Sequence, residues 1–168
     1  EYAPPPTKKL VKVYAEHEYM AILDYFDNQD REFSLLLRFM LATGFRIGET
    51  VNMKWSQIKP DCIEVPNKLN KEQIETFPMS RELSAIVEQL RSYNNKERLF
   101  RWSGNSVSSL RKLLNRAFDE LHIEKDGRAF HVFRKTFNKR LLLSGVALET
   151  TRELMRHKSI DTTIKHYT

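Results

Sequence analysis

The heptapeptide HVFRKTF, residues 131–137, sets His131 and Arg134 three positions apart on a segment of apolar, helical periodicity. At about 100° per residue Phe130, Phe133, Phe137 and Leu141 form one stripe, with Arg134 at its edge and His131 further round the same side. Lys135 and Lys139 point toward solvent. A guanidinium at the border of an apolar face loses hydration, which is costly unless an anion answers it. The next acid along the chain is Glu149. A salt bridge to a distant segment is one answer; a bound anion is another.

Two further stretches bear on that choice. In LATGFRIGE, residues 41–49, Arg46 follows a glycine-containing turn at the end of an apolar helix, with Glu49 three residues on. This pattern fits a pocket rim and equally a plain helix start. In LMRHKSIDTTIKHYT, residues 154–168, His157 precedes Tyr167 by ten positions, with Ser159 or Asp161 available as a helix cap between them. Together the three stretches supply two guanidiniums, two imidazoles and a tyrosine hydroxyl, a set suited to a phosphodiester.

The elements that must position these groups are mostly helical. Helical spacing begins at Ala15 and ends in the polar DNQD; SLLLRFMLA is a second helix stopped by Thr43-Gly44, and RIGETVNM a short third. Residues 55–79 change period. Their β-compatible runs IEV and ETF predict a small antiparallel sheet with a hairpin around Asn67 to Gln73. Ser80 is an N-cap candidate for RELSAIVEQLRSY. SVSSLRKLLNRAFDELH and HVFRKTFNKRLLLSG follow, the latter ending at Gly145, and then ALETTRELMRH and SIDTTIKHY. The fold class is α+β, mainly α.

At 168 residues, 40% hydrophobic and 30% charged, the chain reads as one domain with a real core. Residues 1–8, with their APPP run, read as a linker from a preceding part of a longer protein, and residues 9–168 as the domain proper. No run approaches a membrane span, and the charged, proline-bearing start is no signal peptide, so a cytoplasmic protein is expected. The single Cys62 has no disulfide partner and lacks the companion thiols of a structural zinc site, so it reads as a half-buried filler. Residues 1–100 carry 14 basic and 15 acidic side chains, whereas residues 101–168 carry 14 and 7. This basic half suits a polyanion such as nucleic acid, although a solvated basic face has the same composition.

ATGFRIGE, HVFR and LMRHKSIDTTIKHY resemble the first arginine box, the His-x-x-Arg box and the closing tyrosine block of the tyrosine recombinase (phage integrase) family. The similarity runs from about Lys9 to the last residue. It implies that Arg46 and Arg134 clamp a scissile phosphate, that Tyr167 attacks it, and that His131 and His157 assist by hydrogen bonding and proton transfer. A hairpin lysine is expected to protonate the leaving 5′ oxygen; VPNKLNKEQ favours Lys68, with Lys71 close by. Lys135 stands where many relatives have histidine, and Arg156 where glycine is frequent. The docking segment that relatives carry beyond the tyrosine would lie past Thr168.

The implied chemistry is coherent. Two arginines present bidentate donors to the non-bridging oxygens as charge builds on them. Tyrosine, with a pKa of about 10, is only about 0.1% ionised at pH 7, so a cationic field and a proton acceptor, His131, must activate it. The phosphotyrosyl ester stores the backbone bond for a later 5′ hydroxyl, without ATP. No metal and no other cofactor is expected, because the chain lacks the clustered carboxylates of a two-metal nuclease, and His157 and His166 lack Cys or acidic companions. Lys71, Arg111, Lys112, Arg116 and Lys135 are the candidate phosphate contacts, with Lys112 and Arg116 sharing a helix face near Arg111. The expected partners are double-stranded DNA and further copies of the chain, as a tetramer in the synaptic complex. Alternatives are a type IB topoisomerase and a DNA-binding module whose catalysis has lapsed.

Overall fold

The computed structural model describes residues 3–4, 12–67, 69–145 and 150. Helix α1 spans Glu16–Gln29 and α2 spans Arg31–Thr43. The polar DNQD therefore does not separate them as a loop: α1 runs through Gln29, and Asp30 alone ends one helix and starts the next. Its backbone N–H donates to Phe26 O, and its carboxylate accepts from Phe33 N at 3.3 Å. One side chain suffices because an aspartate satisfies an orphan donor of the following helix.

Helix α2 is the centre of the fold. Its residues are buried on nearly every side, from Phe33 to Thr43, and it packs against α1 and against the later helices Arg81–Arg91 (α4) and Phe130–Leu143 (α6). A helix apolar all round needs partners all round. It ends at Gly44, whose φ of 69° and ψ of 13° place it in the left-handed region that glycine tolerates best. The five-residue α3, Ile47–Val51, follows at once.

Strands β1 (Cys62–Pro66) and β2 (Ile74–Pro78) pair antiparallel, with Ile63 opposite Phe77 and Pro66 opposite Ile74. Ile63, Val65 and Phe77 face inward. Phe77 lies 5.2 Å from the Phe45 ring and 6.2 Å from Phe137, which seats the sheet against both the turn after α2 and the helix that follows later. Helices α4 (Arg81–Arg91, capped by Ser80), α5 (Val107–Leu121) and α6 (Phe130–Leu143), with short 3-10 turns at Trp55–Gln57 and Gly104–Ser106, complete the described elements. The two helices expected beyond Gly145 lie outside the described residues. Among the described residues, no helix is long and apolar enough to cross a membrane. Cys62 is half-buried on β1.

The start of α1 is stitched to the entry of α6. Tyr14 Oη donates to Ala129 O at 3.1 Å, and Thr136 Oγ1 accepts from Tyr14 N at 3.1 Å. Arg128 grips both oxygens of Glu18 at 2.9 Å, with its guanidinium 5.2 Å from the Tyr14 ring centroid. The Arg128 contact holds the Glu18 carboxyl below the usual carboxylate range. A group whose folded pKa is depressed stabilises at neutral pH and loses that contribution as pH falls through its folded value. Arg128→Met is therefore expected to cost about 2 kcal/mol at pH 7, or a Tm drop of about 4–8 °C, and less below pH 4. Thermal melts of both proteins at two pH values check this.

Candidate active site

Arg46 stands directly between α2 and α3. With φ −70° and ψ 153° it is the N-cap residue of α3. Its backbone is held from both sides: the N–H donates to Glu49 Oε1 at 3.2 Å, and the carbonyl accepts from Thr50 Oγ1 at 2.9 Å. The side chain itself is exposed, with Nη1 3.8 Å from the same Glu49 oxygen. The segment is thus a helix start that leaves a guanidinium at the surface. One carboxylate both fixes its backbone and lies near its charge.

Arg134 lies deeper than the edge of the stripe. It is 9% exposed, and its Nη1 donates to the carbonyl of Gly44 at 2.7 Å. The closeness of α2 and α6 brings this about. Gly44 and Arg46 are two residues apart, so their Cα atoms lie within about 7 Å. One turn therefore carries the first arginine and accepts a hydrogen bond from the second, two residues before Arg46. Part of the desolvated guanidinium is answered here by a carbonyl dipole.

His131, on the first turn of α6, is exposed. Partial burial, followed by the fields of Lys135 and Arg111, pushes its pKa below the ordinary value. Because the ordinary value is about 6.5, His131 is neutral at pH 7 and able to accept a proton. Arg111→Ala should raise the His131 titration midpoint toward 6.5, by removing a repulsive cation. An NMR titration of the imidazole measures this; an unmoved midpoint would mean that the two groups do not share a field.

The candidate DNA contacts divide. Arg111 on α5 lies within the field of His131, and Lys135 on α6, half-buried, does the same. Arg116 is exposed but belongs with Tyr25 and Glu120, where α5 meets α1. Positions 111 and 116 are about 140° apart around a helix of 3.6 residues per turn, whereas 112 and 116 are about 40° apart and share a face of α5. Lys112 and Lys71 are exposed, the latter on the hairpin loop. Lys68, His157 and Tyr167 lie outside the described residues.

Sequence reading missed the Gly44 carbonyl as the partner of Arg134. The Thr-Gly helix stop marked the turn, but no pattern foretold which side chain would bind it. Among the described residues no cluster of three or more His, Cys, Asp or Glu could hold a metal ion.

Residues 12–168 match the family model described as the phage integrase family. The integrase of Haemophilus phage HP1 (strain HP1c1) is 27% identical over 158 residues, covering 94% of this chain and 43% of that protein. A probable integrase/recombinase of Acholeplasma phage L2 is 25% identical, covering 98% of this chain and 60% of that protein. The chain thus spans roughly half the length of these curated relatives. The solved catalytic domain of bacteriophage HP1 integrase superposes with a TM-score of 0.73 at 26% identity, covering 94% of this chain and 87% of that one. A lambda integrase dimer bound to a COC′ core site gives 0.79 at 17% identity, covering 97% and 49%, which is a likeness of fold.

Proposed function

Because the chain belongs to the phage integrase family, we propose that it is the catalytic part of a site-specific DNA recombinase that cleaves and rejoins DNA through a covalent 3′-phosphotyrosine. The observation that carries this reading is the Arg134 to Gly44 hydrogen bond, which sets a buried guanidinium beside the turn bearing Arg46.

In this mechanism Arg46 and Arg134 bind the non-bridging oxygens of the scissile phosphate and stabilise the charge that grows there. Tyr167 attacks phosphorus. Neutral His131 accepts the proton from the tyrosine hydroxyl, and His157 adds a hydrogen bond to the phosphate. A hairpin lysine, Lys68 or else Lys71, gives its proton to the departing 5′ oxygen. Arg111 and Lys135 beside His131, together with Lys71, Lys112 and Arg116, bind flanking phosphates of the duplex. No metal enters the reaction, because the arginines supply the electrostatic stabilisation.

The reading extends to the whole protein. A DNA-clamping domain precedes the linker at residues 1–8 and closes with residues 9–168 around the duplex, and copies assemble as a tetramer on paired sites. Similar solved structures include a lambda integrase tetramer bound to a Holliday junction, which accords with such an assembly. The working protein would be cytoplasmic and nucleoid-associated.

The direct test incubates the full-length protein with a nicked suicide duplex, from which the cleaved end diffuses away, and resolves the products on a denaturing gel. A protein–DNA band resistant to denaturant is expected. Specific binding without any such band would instead identify a DNA-binding module.

A further inference from the structure

The hairpin loop that joins β1 to β2 is held by one carboxamide. Asn67 Oδ1 accepts the backbone N–H groups of Leu69, at 2.8 Å, and Asn70, at 3.1 Å. Its Nδ2 donates across the hairpin to Glu75 Oε1 at 2.8 Å. The Asn67 backbone N–H donates to Gln73 O, and Gln73 N donates to Asn70 O, both at 2.9 Å. Asn67 is half-buried, whereas Leu69, Asn70, Lys71, Glu72 and Gln73 are exposed.

These bonds do more than close a hairpin. The strand register already ends at Pro66 and Ile74, so the ladder alone leaves the seven residues from 67 to 73 many conformations. Asn67 ties the base of that loop to its middle on one side and to the opposite strand on the other. Residue 68 is bracketed by Asn67 and Leu69, which one side chain joins. Asn70 makes a smaller version of the same turn around Lys71, accepting from Glu72 N at 3.2 Å. Among the described residues its side chain makes no bond across the hairpin, so it shapes the tip without anchoring it.

We propose that Asn67 is a positioning residue for leaving-group protonation, holding the loop that presents the hairpin lysine to DNA; this rests on the recombinase reading above. In the step concerned, the bond from Tyr167 Oη to phosphorus forms as the bond from phosphorus to O5′ breaks. The tyrosine proton passes to the imidazole of His131, and a lysine ammonium proton passes to O5′, leaving a neutral amine and a free 5′ hydroxyl. Proton transfer of this kind requires the donor within hydrogen-bond reach at the moment the bond breaks, and a displacement of about 1 Å can cost on the order of 10²-fold. Neither Lys68 nor Lys71 can supply that precision from its own flexible stem.

The test compares two suicide duplexes, one ordinary and one with sulfur replacing the bridging O5′. A thiol leaves readily as thiolate, its pKa being about 8.5, so the sulfur substrate makes the general acid dispensable. Asn67→Ala in the full-length protein is expected to slow adduct formation about 10–100-fold on the oxygen substrate, yet to stay within about threefold of wild type on the sulfur one. Lys68→Ala and Lys71→Ala are run alongside, and the one that recovers on sulfur identifies the proton donor. Asn67→Asp keeps the acceptor but faces Glu75 with a second carboxylate, and should show the same selective loss. Combining it with Glu75→Gln reverses donor and acceptor across the hairpin and should restore the oxygen rate. Equal losses on both substrates, or no loss on oxygen, would overturn the role of Asn67. Absence of any wild-type adduct on either duplex would defeat the recombinase reading itself, and this inference with it.

Discussion

Arg134→Ala is expected to lower the rate of covalent adduct formation by about 10²–10³-fold or more, the usual cost of deleting one preorganised donor from a developing charge. It should also lower stability by about 2 kcal/mol, because it leaves the buried carbonyl of Gly44 without the donor that reaches it at 2.7 Å. Arg134→Lys separates the two effects. An ammonium keeps the charge but has no planar fork, so it cannot bond the carbonyl and a phosphate oxygen together in the same geometry. The lysine variant should melt nearer to wild type and still cleave about 10²-fold more slowly. Arg46→Ala provides the contrast. Its side chain is 43% exposed and lies only 3.8 Å from a neighbouring carboxylate, so stability should change by less than about 0.5 kcal/mol while the rate falls as far as in Arg134→Ala. Single-turnover cleavage and thermal melts on the three variants check the set. An Arg46→Ala protein that cleaves normally would remove that residue from the site.

Tyr167→Phe is expected to abolish the adduct altogether while leaving DNA affinity within about twofold of wild type. The change deletes one oxygen and keeps the ring, so the phosphate contacts made by the basic side chains persist. No other residue is assigned to replace the lost nucleophile, and a neutral water would need the same activation without the benefit of being tethered. Binding by fluorescence anisotropy and trapping on a denaturing gel give the two readouts. A surviving adduct would show that a different side chain attacks.

Much of this arrangement is legible in the sequence because local signals and tertiary needs agree. Thr43-Gly44 stops α2 where the chain requires a left-handed residue. The breakers around Asn67 to Gln73 lie at the observed loop, and Ser80 caps α4 through a bond to Leu83 N. Local signals fail where the answer depends on a distant partner. DNQD is polar enough for a loop, yet Asp30 satisfies the start of α2 so directly that no loop forms. Arg134 reads as a border residue by helical angle, but α2 packs closely enough against α6 to bury it. Arg111, Lys112 and Arg116 are neighbours in sequence, while the packing of α5 turns Arg111 toward His131 and Arg116 toward Tyr25. The clamp made by Asn67 was equally hidden, since an asparagine in a hairpin loop is ordinary and only its three partners distinguish it.

The central claim is that Arg46 and Arg134 act on the charge of one phosphate, and the most direct measurement replaces that phosphate. A suicide duplex with a methylphosphonate at the scissile position carries a neutral linkage, so a cationic clamp has little left to stabilise. Adduct formation by Arg46→Ala and by Arg134→Ala should then recover to within about tenfold of wild type on the same duplex, having fallen about 10²–10³-fold on the phosphate. Variants as impaired on the neutral linkage as on the charged one would contradict the account.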